Sequence, residues 1–484
     1  MTFLRVLRPL LLVTCWITAH ADPLPDTAAL EAMLKSHVGP GQPASALVVG
    51  LADSSGRRVV AVGTRSHDDP TPVDANAIFE WASITKAMTG TTLSRLVASG
   101  SLRLDDPLSR HLPALADQPA GRVTLEHLAT HRSGLPRLPA SPEMVLMSRD
   151  PYRNTDLARL VRDASGLEIG PLPAPYAYSN LGYSLLGAAL AQHTGLPFGK
   201  LVQQQVLEPA GVTTAFVADD EATLQRQLPG HDAQGRRTPP WHNGASAPSG
   251  GMRGDAGALL TLMERARQGL PPFDAPGLFT VRAHAGREHT DVGLGWHRTQ
   301  LAEGISMWWH NGGSGGFRSF AAFSPELGRS VVVLANSAGT NPDRIGRLLL
   351  QGQPVPPPQP PKAGMHTWVT LGLVSFSVGS LAMAWRKSDW PASRLQGGLQ
   401  VLEAGLVPLW MMRVGDWQPM RAWVDIDPRP WVAGLLLVLT VALGRRWLAA
   451  PAWPTTKTSR VGLGLKLVVN ALLLLAVIVV WMPA

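Results

Sequence analysis

The stretch FEWASITK, residues 79–86, places a serine and a lysine three residues apart. The apolar residues after it recur near helical spacing as far as Val97, which predicts a helix that begins here. Because residues i and i+3 share one helix face, the Lys86 amine can reach the Ser83 hydroxyl. A serine on the first turn also lies where unpaired N–H groups and the helix dipole favour an oxyanion. The pattern indicates a serine nucleophile, but an ordinary solvated Ser/Lys pair has the same spacing, so the assignment needs partners elsewhere.

The composition divides the chain into two unlike parts. Of its 484 residues 45% are hydrophobic and only 16% are charged, and apolar runs concentrate after the Pro-rich stretch at 353–361. The part before that stretch has the mixed composition of a globular protein. The formal net charge is +8, yet the basic residues are scattered and form no nucleic-acid-binding motif, so we expect no nucleic-acid partner.

The N-terminus has the pattern of a secretory signal peptide. Arg5 and Arg8 precede an apolar stretch at 9–18, and A-H-A at 19–21 supplies a cleavage site. The alternative is an uncleaved anchor, for which the stretch is short. The single cysteine, Cys15, lies inside this segment. Cleavage after residue 21 would leave a mature chain without disulfides, a thiol nucleophile or a Cys-containing metal site.

A short helix predicted at 124–131 carries two histidines that could suggest a metal site. His127 and His131 have the i, i+4 spacing of some zinc ligands. There is no H-E-x-x-H motif and no evident third ligand, so core packing and loop bracing is the better interpretation. We expect no metal and no other cofactor. Upstream, an amphipathic helix is predicted at 26–37, and a β-hairpin is predicted from the strand-like runs at 46–51 and 58–62.

A second candidate motif, Y-S-N at 178–180, follows a Pro-rich loop. Residues 181–194 after it predict a helix. Tyr178 and Asn180 would then lie on a loop that runs into a helix start, a common place for catalytic side chains. A structural tyrosine with Asn180 as the helix cap explains the same pattern, and the local sequence leaves both interpretations open.

A third candidate motif, H-N-G at 310–312, ends a predicted strand and opens a Gly-rich turn between strand-like runs. Glycine at Gly312 and Gly313 would let a backbone N–H approach a ligand closely. Residues 312–316, GGSGG, also match the G-x-S-x-G elbow. That elbow needs a following helix, whereas a strand is predicted here, so we interpret this match as fortuitous.

Together and in this order, the three motifs resemble the penicillin-recognising serine hydrolases. The tyrosine-x-asparagine form is similar to the branch with class C β-lactamases, D-alanyl-D-alanine peptidases, D-aminopeptidases and esterases. Supporting stretches that also resemble this branch are LDDP at 104–107, LATHRSGL at 128–135, GGM at 250–252, GLGW at 293–296 and GGFRS at 315–319. The resemblance implies a β-lactamase-like α/β fold with two lobes. An antiparallel sheet flanked by helices would form one lobe, a mostly helical lobe would face it, and the site would lie in the cleft between them.

The resemblance also implies a role for each motif residue. Ser83 would be the acylated nucleophile, while Lys86 and Tyr178 would share the proton transfers, with an activated amine or hydroxyl as the base. Asn180 would hold the substrate amide and orient Lys86. The backbone N–H groups of Ser83 and Gly313 would form the oxyanion hole, with Gly312 beside it.

His310 departs from the β-lactamase pattern, which has a lysine at this place. An unperturbed histidine has a pKa near 6.5, so His310 would offer a largely neutral hydrogen-bond donor instead of a permanent cation to a drug carboxylate. This departure favours the peptidase and esterase members of the family. Arg318 could restore a cation and would weaken that inference.

The last part of the chain predicts a membrane-attached tail. After the stiff Pro-rich linker come four apolar runs, at about 366–385, 395–412, 430–444 and 464–482. The basic pairs at 386–387 and 445–446 would fall on the cytoplasmic side. The predicted segments are a signal peptide at 1–21, a β-lactamase-like serine hydrolase domain at 22–352, a Pro-rich linker at 353–363 and a tail of about four transmembrane helices at 364–484.

We therefore expect a membrane-tethered periplasmic serine hydrolase of the bacterial inner membrane. It would act through an acyl-enzyme on D-amino-acid peptides, cell-wall fragments or esters. One alternative is a class C-type β-lactamase. Another is a non-catalytic sensor that binds penicillin or wall fragments, against which the complete set of motif residues argues. The sequence leaves the natural substrate open.

Overall fold

The computed structural model describes residues 24–138, 149–217, 220–286, 290–358 and 365–386, with 394–395, 397–402, 431–435, 438 and 448. Its strands are β1 (Ala46–Asp53), β2 (Gly56–Ser66), β3 (Asp69–Pro72), β4 (Phe79–Glu80), β5 (Phe216–Val217), β6 (Gly230–His231), β7 (Arg237–Thr238), β8 (Met252–Gly254), β9 (Ala283–His284), β10 (Thr290–Val292), β11 (His297–Ala302), β12 (Ile305–Gly313), β13 (Arg318–Ser324) and β14 (Arg329–Ala335). Its α-helices are α1 (Thr27–Leu34), α2 (Thr85–Ala98), α3 (Leu108–His111), α4 (Leu125–Ala129), α5 (Leu157–Ala164), α6 (Asn180–Thr194), α7 (Phe198–Val202), α8 (Glu208–Ala210), α9 (Glu221–Leu224), α10 (Ala247–Gly250), α11 (Ala256–Gln268), α12 (Pro342–Leu350) and α13 (Met365–Arg386).

A nine-stranded antiparallel sheet forms one lobe, in the order β3-β2-β1-β14-β13-β12-β11-β10-β9. The predicted hairpin supplies β1 and β2, and in their turn the Ser55 N–H donates to Asp53 at 2.8 Å. In the middle of the sheet β1 pairs with β14, so that Leu47 lies opposite Ala335. Sequence-distant segments therefore build the sheet together, and most of the helices lie in the chain between them.

Neighbouring residues of each strand point to opposite faces of the sheet. Both faces carry apolar side chains, and helices cover both of them. Val49 of β1 belongs to a buried cluster that includes Leu30 of α1 and Leu349 of α12. Val48 belongs to a second cluster with Leu260 of α11, and this cluster continues into the helical lobe. Each such side chain, fully buried, contributes about 1.5–3 kcal/mol to folding. This second cluster therefore joins the two lobes and determines where the cleft between them lies.

Helix α2 runs through the centre of the helical lobe and is buried on most sides. Two of its buried threonines satisfy their hydroxyls within the helix, since Thr91 and Thr92 donate to the carbonyls four residues earlier at 2.8 and 2.9 Å. Gly90 allows the loop at 293–296 to pack directly on the helix, because a Cβ there would lie 2.0 Å from the Leu294 carbonyl oxygen. The GLGW stretch thus fixes α2 against the sheet.

Of the four predicted apolar runs, the first forms α13. The other three lie wholly or largely outside the described residues, as do the predicted signal peptide and Cys15. Within the described ranges, no helix has both the length and the hydropathy of a membrane span. The predicted transmembrane tail is therefore not supported by this structure.

Candidate active site

Ser83 lies on a single 3₁₀ turn that leads directly into α2. Ala82 before it has a φ of 47°, a left-handed conformation that is costly for a residue with a Cβ. Two hydroxyls hold this turn: that of Ser319 donates to the Trp81 carbonyl at 2.8 Å, and that of Thr85 donates to the Ala82 carbonyl at 2.6 Å. The turn fixes Ser83 at the cleft, where it remains partly exposed.

Lys86 is completely buried one turn after Ser83, and its Nζ lies 3.2 Å from the Ser83 Oγ. Nζ also donates to the Ser249 carbonyl at 2.5 Å. Burial, followed by the charge of Arg137, holds the pKa of Lys86 well below its usual value of 10.5. No carboxylate of the described chain contributes to that pKa. A neutral buried amine has a lone pair that can take the Ser83 proton.

Tyr178 stands beside both residues of the first motif. Its ring centroid is 4.9 Å from the Lys86 Nζ, and its phenol shares a hydrogen bond with Ser83. Burial raises the pKa of Tyr178 well above 10, although the bond to Ser83 opposes this shift. The phenol is therefore protonated at neutral pH. Between the two candidate bases the arrangement favours the amine of Lys86, and it leaves Tyr178 as a proton donor.

His131 braces the loop that carries Tyr178. Its Nδ1 accepts a hydrogen bond from the Ser179 N–H at 3.1 Å, and its carbonyl accepts one from the Ala177 N–H at 2.9 Å. The imidazole also packs on the Tyr178 ring, with centroids 4.3 Å apart. His127 instead completes the cap of α4 with Thr124. The contacts of both histidines are thus those of packing and bracing, as the sequence suggested.

Asn180 is the first residue of α6, and the helix cap is Ser179, whose hydroxyl accepts from the Gly182 N–H at 2.9 Å. The sequence had left open that Asn180 itself was the cap. Its side-chain nitrogen donates to the Tyr152 hydroxyl at 3.0 Å, and its Oδ1 is buried without a partner among the described residues. The expected contact with Lys86 is absent from the described hydrogen bonds, and the Ser249 carbonyl orients that lysine instead.

His310 is buried on β12, and its Nδ1 lies 2.6 Å from the Asn311 carbonyl oxygen. A carbonyl only accepts, so Nδ1 carries the proton and Nε2 has the free lone pair. Nε2 has no partner in the described part of the chain. Burial, and then His297 and Lys86, hold the pKa of His310 well below 6.5. His310 is therefore neutral, as expected, but its unprotonated nitrogen is the buried Nε2, an acceptor, where we expected a donor.

The two glycines after His310 allow β12 to pass close to the Ser83 turn. A Cβ at Gly312 would lie 2.2 Å from the Trp81 carbonyl oxygen, so no larger residue fits there. Gly313 is exposed at the end of the strand. Ser314 lies in the short connection from β12 to β13. Its GGSGG stretch therefore lacks the strand-turn-helix context of a nucleophile elbow.

Three residues near the centre were not predicted from the sequence. Tyr152 holds Asn180, the Ser249 carbonyl holds Lys86, and Arg137 lies over the Tyr178 ring with its guanidinium carbon 4.9 Å from the centroid. Ser249 adjoins the GGM stretch, which could have indicated it. Tyr152 and Arg137 have no local pattern that separates them from ordinary loop residues, so only the fold brings them to the site.

Comparisons with known proteins agree with this geometry. A protein-family model described as "Beta-lactamase" matches residues 38–353. A β-lactamase of Pseudomonas fluorescens is 26% identical over 318 residues, covering 58% of this chain and 86% of that protein. The D-alanyl-D-alanine-carboxypeptidase/endopeptidase AmpH of Escherichia coli strain K12 is 28% identical over 335 residues, covering 61% of this chain and 81% of its own.

The fold is likewise similar to solved structures. The crystal structure of a class C β-lactamase from Rhodobacter sphaeroides superposes with a TM-score of 0.56 and 24% identity, covering 67% of this chain and 97% of that one. At this level of identity the similarity establishes the β-lactamase-like α/β architecture and leaves the substrate open.

Proposed function

Since the chain belongs to the beta-lactamase family of serine hydrolases, we propose that it cleaves amide or ester bonds through an acyl-enzyme on Ser83. The observation that carries this proposal is the 3.2 Å approach of a fully buried Lys86 amine to the Ser83 hydroxyl. The pair supplies a nucleophile and a base in contact, and burial lowers the pKa of that base, which favours its neutral form. A sensor without catalysis would have no use for that arrangement, whose buried lysine is costly to the fold.

The proposed reaction has two stages, the formation of an acyl-enzyme and its hydrolysis. As the Ser83 Oγ attacks the substrate carbonyl carbon, its proton passes to the Lys86 Nζ. The backbone N–H groups of Ser83 and Gly313 stabilise the resulting oxyanion. The carbonyl re-forms when the bond to the leaving group breaks, and Tyr178 donates its proton to that group and is reprotonated from Lys86. Water then attacks the acyl carbonyl carbon and gives a proton to the Lys86 amine, and that proton passes to the Ser83 Oγ as its bond to the acyl group breaks, which releases the acid and restores the hydroxyl.

The proposed substrates are D-amino-acid peptides, cell-wall fragments or small esters. Similarity to AmpH supports the peptides, since that relative is a D-alanyl-D-alanine-carboxypeptidase/endopeptidase. The neutral His310 supports the same preference over β-lactams, because the third motif has no fixed cation for a drug carboxylate. Similarity to the Pseudomonas β-lactamase favours the second candidate, a class C-type β-lactamase.

One experiment separates these candidates. The full-length protein is incubated in parallel with a fluorophosphonate, a penicillin and a D-Ala-D-Ala peptide, and intact mass is recorded over time. A fluorophosphonate adduct that maps to Ser83 would establish the nucleophile, and turnover of the peptide without β-lactam turnover would establish the peptidase. The absence of any adduct on wild-type protein would contradict the proposal.

Export to the periplasm and attachment to the inner membrane are part of this proposal and are supported by the sequence pattern alone. Residues 1–21 have the order of a signal peptide, and apolar runs follow the linker. N-terminal sequencing of the mature protein should begin at Asp22, and the protein should resist extraction from membranes by alkaline carbonate. An intact Met1 or complete release into the supernatant would contradict these two expectations.

A further inference from the structure

Arg137 lies beside Tyr178 and Asn180 of the candidate site. Its carbonyl accepts a hydrogen bond from the Asn180 N–H at 2.8 Å, which fixes its backbone to the start of α6. Its guanidinium carbon stands 4.9 Å from the Tyr178 ring centroid, while the side chain as a whole is exposed to solvent. One side of this charge therefore lies against the Tyr178 ring, while the residue is exposed to solvent.

The charge of Arg137 also acts on the buried groups. It contributes to the lowered pKa of Lys86 and His131. Among the ion pairs of the described residues, none involves Arg137. An exposed guanidinium held over an aromatic ring, with no carboxylate of the described chain beside it, is available to an incoming anion.

The other bases of the cleft do not offer such a charge. His310 and Lys86 are buried, and burial holds the pKa of each well below its usual value. Arg318, which the sequence suggested as a replacement cation, is half-buried, and its Nη1 donates to the Ser314 and Phe317 carbonyls at 2.8 and 3.0 Å. Of these four bases, only Arg137 combines a permanent charge with an exposed side chain.

We infer that Arg137 is an anion-binding subsite and that the preferred substrate carries a carboxylate on its acyl group, several bonds from the scissile carbonyl. This inference rests on the proposed hydrolase function. We place the carboxylate on the acyl group because the Arg137 carbonyl accepts a hydrogen bond from the N–H of Asn180, the residue expected to hold the substrate amide. A guanidinium presents paired N–H donors that match a carboxylate, and charge-assisted hydrogen bonds of this kind are the strong ones.

Matched esters test the subsite directly. The p-nitrophenyl esters of pentanoic acid and of glutaric acid share a five-carbon acyl chain and differ by one terminal carboxylate. We expect the wild-type kcat/KM to favour the glutarate hemiester by about tenfold, and this preference to fall as salt screens the exposed charge. Arg137→Gln should bring the ratio close to one, and Arg137→Lys should retain part of it. Any effect of these variants on Lys86 is common to both esters and cancels in the ratio.

A control variant has the same chemistry elsewhere. Arg226 is also an exposed arginine over an aromatic ring, with its guanidinium carbon 5.2 Å from the Phe216 centroid. Arg226→Gln removes one charge and one such contact outside the motif residues, and it should keep the wild-type ratio. The assignment would be overturned if the wild-type kcat/KM ratio of the two esters were near one, or if Arg137→Gln kept the wild-type ratio. It would also be overturned if only esters with the carboxylate on the phenol leaving group were preferred.

A binding measurement separates failure of the subsite from failure of the proposed function. Calorimetry on the Ser83→Ala protein compares glutaric acid mono-4-nitroanilide with pentanoic acid 4-nitroanilide, so no cleavage is needed. Tighter binding of the anionic anilide that is lost in the Ser83→Ala, Arg137→Gln double variant supports the subsite even if neither ester is hydrolysed. Equal binding of both anilides overturns the subsite even if both esters are hydrolysed.

Discussion

Lys86 on the helical side of Ser83 and His310 on the strand side are both buried bases whose pKa is held well below the usual value. On the helical side, the lowered pKa favours a neutral amine 3.2 Å from the nucleophile, where a lone pair is useful. On the strand side, it removes the cation that a substrate carboxylate would need. Burial has the same electrostatic effect on both residues, and what each atom faces decides whether that effect helps or hinders a given reaction.

The test with the largest expected effect removes the Ser83 hydroxyl, which lies between the helical side and the strand side of the site. Ser83→Ala should lower kcat by at least about 10³-fold, because no other group can form the acyl-enzyme. Stopped assays with p-nitrophenyl acetate and a circular-dichroism melt measure activity and folding. Ser314→Ala, which alters the serine of the fortuitous motif, serves as the control and should behave as wild type. Wild-type turnover by the Ser83→Ala enzyme would show that Ser83 is not the nucleophile.

The helical side is tested by the base. Lys86→Gln should lower kcat/KM by about 10²–10⁴-fold, the usual contribution of a general base. In wild type the active form is the neutral amine, so kcat/KM for a neutral ester should rise with pH and level off well below pH 10.5, the usual lysine value. A pH–rate profile of the wild type decides this. A rate that still rises steeply above that pH would mean that Lys86 is charged and that another group is the base.

The strand side is tested by substrates that do or do not need a cation. Nitrocefin should be hydrolysed slowly and p-nitrophenyl acetate readily, because His310 offers an acceptor where a carboxylate needs a donor. Steady-state kinetics of both substrates on one preparation give the comparison. A nitrocefin kcat/KM near 10⁷–10⁸ M⁻¹s⁻¹, at about the diffusion limit, with negligible esterase activity would promote the β-lactamase candidate.

The smallest expected effect concerns folding, because a buried histidine lies on each side. His131 and His310 have a folded-state pKa well below 6.5, so below about pH 6.5 the unfolded chain binds more protons than the folded one. Stability from this source is complete above pH 6.5 and should decline as the pH falls towards 5. Urea titrations across that range should show the midpoint falling, by a few tenths of a molar or more. An unchanged midpoint would mean that neither histidine has a lowered pKa in the native state.

Much of the fold followed from patterns that act over short distances. The hairpin at 46–66 and the helix after Ser83 depend on alternation, turn residues and helical spacing, and each formed as predicted. The order of the three motifs also implied the two lobes. The chemical state of each side chain was harder, because it depends on burial and on partners distant in sequence. For this reason His310 does not offer the hydrogen-bond donor that we expected, because its Nδ1–H already donates to the Asn311 carbonyl.

The same limit applies to residues without a motif. Arg137 and Tyr152 can be identified as site residues only from the fold, which places them beside Tyr178 and Asn180. Neither lies in a periodic stretch, and an arginine or a tyrosine in a loop is ordinary on its own. The substrate preference that Arg137 implies is therefore a property of the folded cleft and cannot be found by scanning the chain for signatures.

The pairing of β1 with β14 has a consequence for how the protein reaches its native state. Leu47 and Ala335 are neighbours in the sheet, although 335 − 47 = 288 residues separate them in the chain. Contacts of such long range require the closure of a very large loop, and chains dominated by them fold slowly. The strand that completes the sheet is also synthesised after every motif residue. A nascent chain that has exposed Ser83, Tyr178 and His310 but not yet β14 cannot complete this sheet, so we expect it to depend on protection from aggregation until that strand emerges.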